Sequence, residues 1–71
     1  MHVLVVEDDD AIAEPLRRGL EREGFAVTVV STGASAVEVS DAEIVLLDLG
    51  LPDMDGYVLC RRIRAASDVP I

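Results

Sequence analysis

Lysine is missing altogether from this chain of 71 residues, and its six basic side chains are all arginine. Set against 14 acidic residues they leave a net charge of −8. Such a charge repels nucleic acid and anionic membrane alike, and excludes unaided binding to either. Cys60 is the one cysteine, so the chain can form neither an internal disulfide nor a Cys-based zinc site. On a helix it reads as a small apolar residue. Aromatics are nearly absent, with Phe25 and Tyr57 alone, and the core must come from Val, Leu, Ile and Ala. No apolar run approaches the length of a membrane span. Met1-His2 is followed by a short apolar run and then by acids, which is not the pattern of a secretory leader. These absences lead us to expect a soluble, cytoplasmic protein. The 51% of apolar residues suffice for one small folded domain.

Val3-Leu4-Val5-Val6 is β-branched and has no polar alternation, as suits a parallel strand covered on both faces. Ile44-Val45-Leu46-Leu47 reads the same way, and Ala26 to Val30 makes a third strand, nearer an edge because Thr28 interrupts it. A helix capped by Asp10 is predicted over Ala11 to Glu23, with Ile12, Leu16 and Leu20 on its buried stripe. Gly24 is its stop, and Pro15 implies a kink or a shifted start. A second helix is predicted over Thr32 to Val39, capped by Ser31 or Thr32. A third runs from a cap at Asp55 to about Ala65, with Leu59 and Ile63 inward. Val69-Pro70-Ile71 reads as the start of another strand. Alternation of this kind predicts an α/β fold with a doubly wound parallel sheet and right-handed crossovers.

In such a sheet, ligands bind beyond the carboxyl ends of the strands. Glu7, Asp8, Asp9 and Asp10 follow the first strand, and Asp48 follows the Ile44 strand. If these strands are neighbours, several carboxylates converge on one rim. Clustered oxygen ligands without His or Cys favour a hard cation, Mg²⁺ above all. A carboxylate beside that ion can act as nucleophile and accept a phosphoryl group.

Val3-Leu4-Val5-Val6-Glu7-Asp8-Asp9 and Leu46-Leu47-Asp48-Leu49-Gly50-Leu51-Pro52-Asp53-Met54-Asp55-Gly56 together resemble the receiver domains of bacterial two-component response regulators. The style of both motifs is most similar to that of the winged-helix transcriptional regulators. The resemblance implies a flavodoxin-like receiver fold. Residues 1–71 would form its N-terminal part, truncated after the third βα unit at the start of a fourth strand. It further implies that Asp48 is the phosphoacceptor and that Glu7 and Asp8 are the acidic pair at the metal. Asp8 would ligate directly, Glu7 through water or at longer reach, and Gly50 would offer its backbone carbonyl. Pro52 and Gly56 would shape the loop. The implied partners are a sensor histidine kinase, a second copy when full length, and DNA only through a C-terminal effector domain beyond these residues; no membrane is involved. The chain would be a signalling phosphoacceptor, not an enzyme in the ordinary sense. The family completes its site with a Ser/Thr after the fourth strand and a Lys after the fifth. Neither lies in this chain, so residues 1–71 alone are expected to hold metal but to be impaired in phosphoryl transfer.

Asp9 and Asp10 suit a helix start, Asp53 and Asp55 suit a turn and a cap, and Arg61, Arg62 and Arg64 suit a solvated helix face. His2 opens a strand with no second histidine to join it, which is a structural position. The chief alternative function is a pseudo-receiver that works by protein contacts without phosphorylation; such a module has no need of the Glu7, Asp8 and Asp48 set. A haloacid-dehalogenase-like phosphatase would carry its nucleophile in a DxD pattern after the first strand, unlike Asp48-Leu49-Gly50. A dinucleotide-binding domain needs glycines where this chain has acids.

Overall fold

The computed structural model describes all of residues 1–71. Three strands, β1 (His2–Val6), β2 (Ala26–Val30) and β3 (Ile44–Leu47), alternate with three helices, α1 (Asp10–Arg22), α2 (Gly33–Ala36) and α3 (Gly56–Ala66). The sheet is parallel in the order β2-β1-β3. The most buried strand thus takes the centre and the Thr28 strand an edge. Val6 aligns with Val30 on one side and with Leu47 on the other, so the carboxyl ends of all three strands finish level.

Every residue from Val3 to Val6 is at most 2% exposed, which requires cover on both faces because successive side chains point opposite ways. On one face Leu4 and Val6 join Ala36 of α2, Val45 of β3 and Leu59 of α3 in the core cluster. The other face carries α1, whose one buried residue is Ala13.

The ends of α1 follow local chemistry. Gly24 has a positive φ of 93°, the amide of Phe25 donates to the carbonyl of Leu20, and that of Gly24 donates to Glu21. Both bonds close the last turn with a residue type that adopts this conformation freely. The cap at the other end is Asp9, not Asp10: its carboxylate accepts from the amide of Ala11, and Asp10 is already helical. The helix runs on through Pro15, which lacks the amide for one helical bond.

Three further expectations are corrected. The buried stripe of α1 is turned by about one residue from the predicted one: Ala13 is 2% exposed, whereas Ile12 is 54% and Leu16 is 36% exposed. Leu16 and the equally open Leu46 of β3 line one cleft, and the small Ala13 is the residue of α1 that is buried. The second helix is shorter than predicted, ending at Ala36. Val39 leaves the helical path and packs against the core cluster, and that burial outweighs extending a helix through β-branched Val37 and Val39. Of the two caps predicted as alternatives, Ser31 and Thr32, Thr32 serves, accepting from the amide of Ser35. Third, Val69-Pro70-Ile71 forms no strand, although the Pro70 carbonyl accepts from Val45 at 2.9 Å and lies beside β3.

Candidate metal and phosphoryl site

The carboxyl ends of β1 and β3 continue for one residue as ladder. The amide of Glu7 donates to Val30 at 3.0 Å, and that of Asp48 donates to Val6 at 3.0 Å. Glu7 and Asp48 are therefore fixed by the sheet itself, not by mobile loop. Asp8 follows on the turn into α1. One carboxylate oxygen from each of Glu7, Asp8 and Asp48 lies within 4.8 Å of the other two. Glu7 and Asp48 are half-buried and Asp8 is exposed.

No arginine or histidine forms an ion pair with any of the three. Their local hydrogen bonds leave acceptor capacity: Glu7 accepts from the amide of Asp9 at 3.1 Å, and Asp48 from the amide of Gly50 at 3.3 Å. Three uncompensated carboxylates at this spacing create a field that a cation relieves. The donors are all oxygens, and the partial exposure admits water to complete a coordination shell. That chemistry fits Mg²⁺, which takes one or two carboxylates and keeps several waters. A cleft of about 180 Å³ runs beside them, walled by Val5, Val6, Leu16, Leu46 and Leu47, with Glu7 and Asp48 as its polar part. A larger hollow, about 520 Å³, opens along α1 between Pro15, Arg18, Glu21 and Arg22. It shares no residue with the cleft or the carboxylate trio.

The loop after Asp48 is held at its base. Gly50 and Asp55 form an isolated antiparallel bridge, and the amide of Gly56 donates to Leu49 at 2.9 Å. Asp55 caps α3 by accepting from Tyr57 at 2.7 Å, as its position predicted. Gly56 is the glycine this site cannot exchange. A β-carbon there would fall 2.5 Å from the Cα of Leu49 and 2.9 Å from the carbonyl oxygen of Asp48. Gly50 is different, with open space around its missing side chain and no positive φ. A carbonyl at that position does not depend on glycine.

Asp53 is placed by the structure where sequence reasoning saw only a turn. Its two carboxylate oxygens accept from the amides of Gly33, at 2.8 Å, and Ala34, at 3.0 Å. The Gly33 bond first, and then that from Ala34, hold the carboxyl below the usual carboxylate range. The contact spans 20 residues, and no local motif announces it. Asp9 and Asp10 fall outside the trio. His2 lies at the opposite end of β1, with Nε2 2.7 Å from Thr28 Oγ1 and Nδ1 3.3 Å from Asp41, a bridge from β2 to the segment before β3.

The chain is 53% identical over 73 aligned positions to the transcriptional regulatory protein CseB of Streptomyces coelicolor, covering 99% of this chain and 31% of that protein. It is 51% identical to the sensory transduction protein RegX3 of Mycolicibacterium smegmatis, over 97% of this chain and 32% of the relative. The chain thus spans about a third of the length of the curated relatives it matches. Among solved structures, the receiver domain of a sensor histidine kinase from Pseudomonas aeruginosa superposes with a TM-score of 0.90 at 36% identity, covering 99% of this chain and 62% of that one. That structure holds a magnesium ion coordinated in its active-site cleft. Residues 3–71 match the response regulator receiver domain model, and with the parallel sheet and its acidic rim this chain belongs to the response regulator receiver family.

Proposed function

We propose that Asp48 is the phosphoacceptor of a two-component signalling protein and that Glu7, Asp8, Asp48 and the Gly50 carbonyl hold its Mg²⁺. The observation that carries this reading is the convergence of three carboxylates from two adjacent strand ends within 4.8 Å. Glu7 and Asp48 both follow core strands and border the cleft, and the match of the Leu46 to Gly56 segment to the family's motif assigns the nucleophile to Asp48. A bound Mg²⁺ supplies charge neutralisation for the oxygens of the transferring group.

The chain's own part is nucleophilic. A carboxylate oxygen of Asp48 attacks the phosphorus of a phosphohistidine on a sensor kinase. The new O–P bond forms as the P–N bond breaks, and the imidazole nitrogen leaves with the electron pair and takes up a proton. The β1–β3 ladder fixes Asp48 so that the attack costs little reorganisation. Asp8, the most exposed of the trio, ligates directly, and Glu7, held by the amide of Asp9, acts at longer reach. Hydrolysis of the acyl phosphate resets the switch. In the whole protein the phosphorylated receiver controls DNA binding, as suits relatives that regulate transcription. With a net charge of −8, residues 1–71 leave the DNA contact to another part of the protein.

The test is phosphorylation of the full-length gene product by acetyl phosphate in Mg²⁺. The wild type is expected to take an acid-stable, base-labile label, and Asp48→Asn to take none. Undiminished labelling of Asp48→Asn overturns the assignment.

A further inference from the structure

We propose, resting on the reading of Asp48 as phosphoacceptor, that Asp53 is a positioning residue: it clasps the loop after Asp48 to the start of α2 and so sets the shape of the metal site. Two neighbouring loop residues engage the same patch of α2 in different ways. Asp53 accepts from the amides of Gly33 and Ala34. The side chain of Met54 lies over Gly33, where a β-carbon would fall 2.5 to 2.8 Å from three of its atoms. The tip of the loop is thus pinned to α2 by a charge and by packing.

Its base is pinned separately, by the Gly50–Asp55 bridge and the Gly56 to Leu49 bond. The segment from Leu49 to Asp55 is therefore a hoop fastened at both ends. Asp48 stands at the mouth of the hoop and Gly50 on its rim. Loosening the tip lets the rim shift while the sheet still holds Asp48. α2 also has a local cap, because Thr32 accepts from the amide of Ser35, whereas Asp53, through Gly33 and Ala34, is the polar link between that helix and the loop. The carboxyl is held below its ordinary range by these same amides, so it stays ionised throughout the neutral range. Arg62 adds a smaller attraction from α3.

Thr32 supplies the control that separates positioning from stability. In the full-length gene product, Asp53→Ala is expected to weaken Mg²⁺ binding about tenfold, the scale for removing a group that orients a metal's ligands. Its phosphorylation by acetyl phosphate should slow at low Mg²⁺ and recover at saturating Mg²⁺. Asp53→Asn keeps one acceptor and should lie between; it makes the same comparison if the alanine variant does not fold. Thr32→Ala should lower Tm while leaving Mg²⁺ affinity at the wild-type value. Wild-type Mg²⁺ affinity in the Asp53 variants overturns the inference, as does an equal loss in Thr32→Ala. In either case a wild type that is labelled on Asp48 keeps the functional reading. A wild type that binds no Mg²⁺ overturns both.

Discussion

At the scale of single residues, two positions near Asp48 differ in what they tolerate. A β-carbon at Gly56 would meet backbone, the Leu49 Cα and the Asp48 carbonyl, and backbone cannot swing aside as a side chain can. Gly56→Ala is expected to displace the end of β3 and cost about 1–3 kcal/mol, the range for overpacking a close-fitted site. Thermal unfolding measures the cost, and Mg²⁺ titration should show a parallel loss of affinity. Gly50→Ala, with open space around it, should leave both unchanged. Asp53 adds a pH dependence whose direction follows from its lowered pKa. A group with a folded pKa below its unfolded one stabilises above the unfolded value and loses that contribution as pH falls through the folded one. The difference in stability between wild type and Asp53→Asn should therefore be constant across neutral pH. It should shrink only below about pH 4, the ordinary carboxylate range.

At the scale of elements, α1 shows what patterning can and cannot specify. Its extent, its glycine stop and its crossover role were legible, because caps and apolar spacing are local. Its rotation was not. Ile12, Leu16 and Leu20 form a good stripe on paper, yet Ala13 is the residue buried, at 2% exposure, while Ile12 is 54% exposed; the rotation of a helix on a sheet is set by tertiary packing, which spacing alone does not specify. Tertiary packing likewise shortened α2 by drawing Val39 into the core. The trio at the site was legible because strand ends are legible, and both carboxylates that the sheet fixes stand directly after apolar runs. The Asp53 contact was not, because it joins loop and helix across 20 residues. Pro15 offers a test of element energetics. It sits inside α1, on an exposed position, and the helix continues past it. Pro15→Ala restores one helical bond and should raise stability by about 1–3 kcal/mol, read as a higher Tm with Mg²⁺ affinity unchanged.

At the scale of the whole molecule, the acidic rim works against the fold that builds it. The chain carries a net charge of −8, and the rim crowds Glu7, Asp8 and Asp48 together with no ion pair among them. Self-repulsion of this kind destabilises the compact state, and sites built for function are where such costs collect. Asp8 is the cleanest probe, being exposed and, unlike Glu7 and Asp48, free of any bond to a loop amide. Asp8→Asn should raise Tm by a few degrees when no divalent ion is present. Adding Mg²⁺ should reverse the order. An ion that binds only the folded state stabilises it by about 2.7 kcal/mol at a hundredfold excess over Kd, and the wild type alone should collect that gain in full. Paired thermal melts with and without MgCl₂ make the comparison. If Asp8→Asn melts no higher than wild type without the ion, or gains as much as wild type with it, the three carboxylates do not act as one cation site.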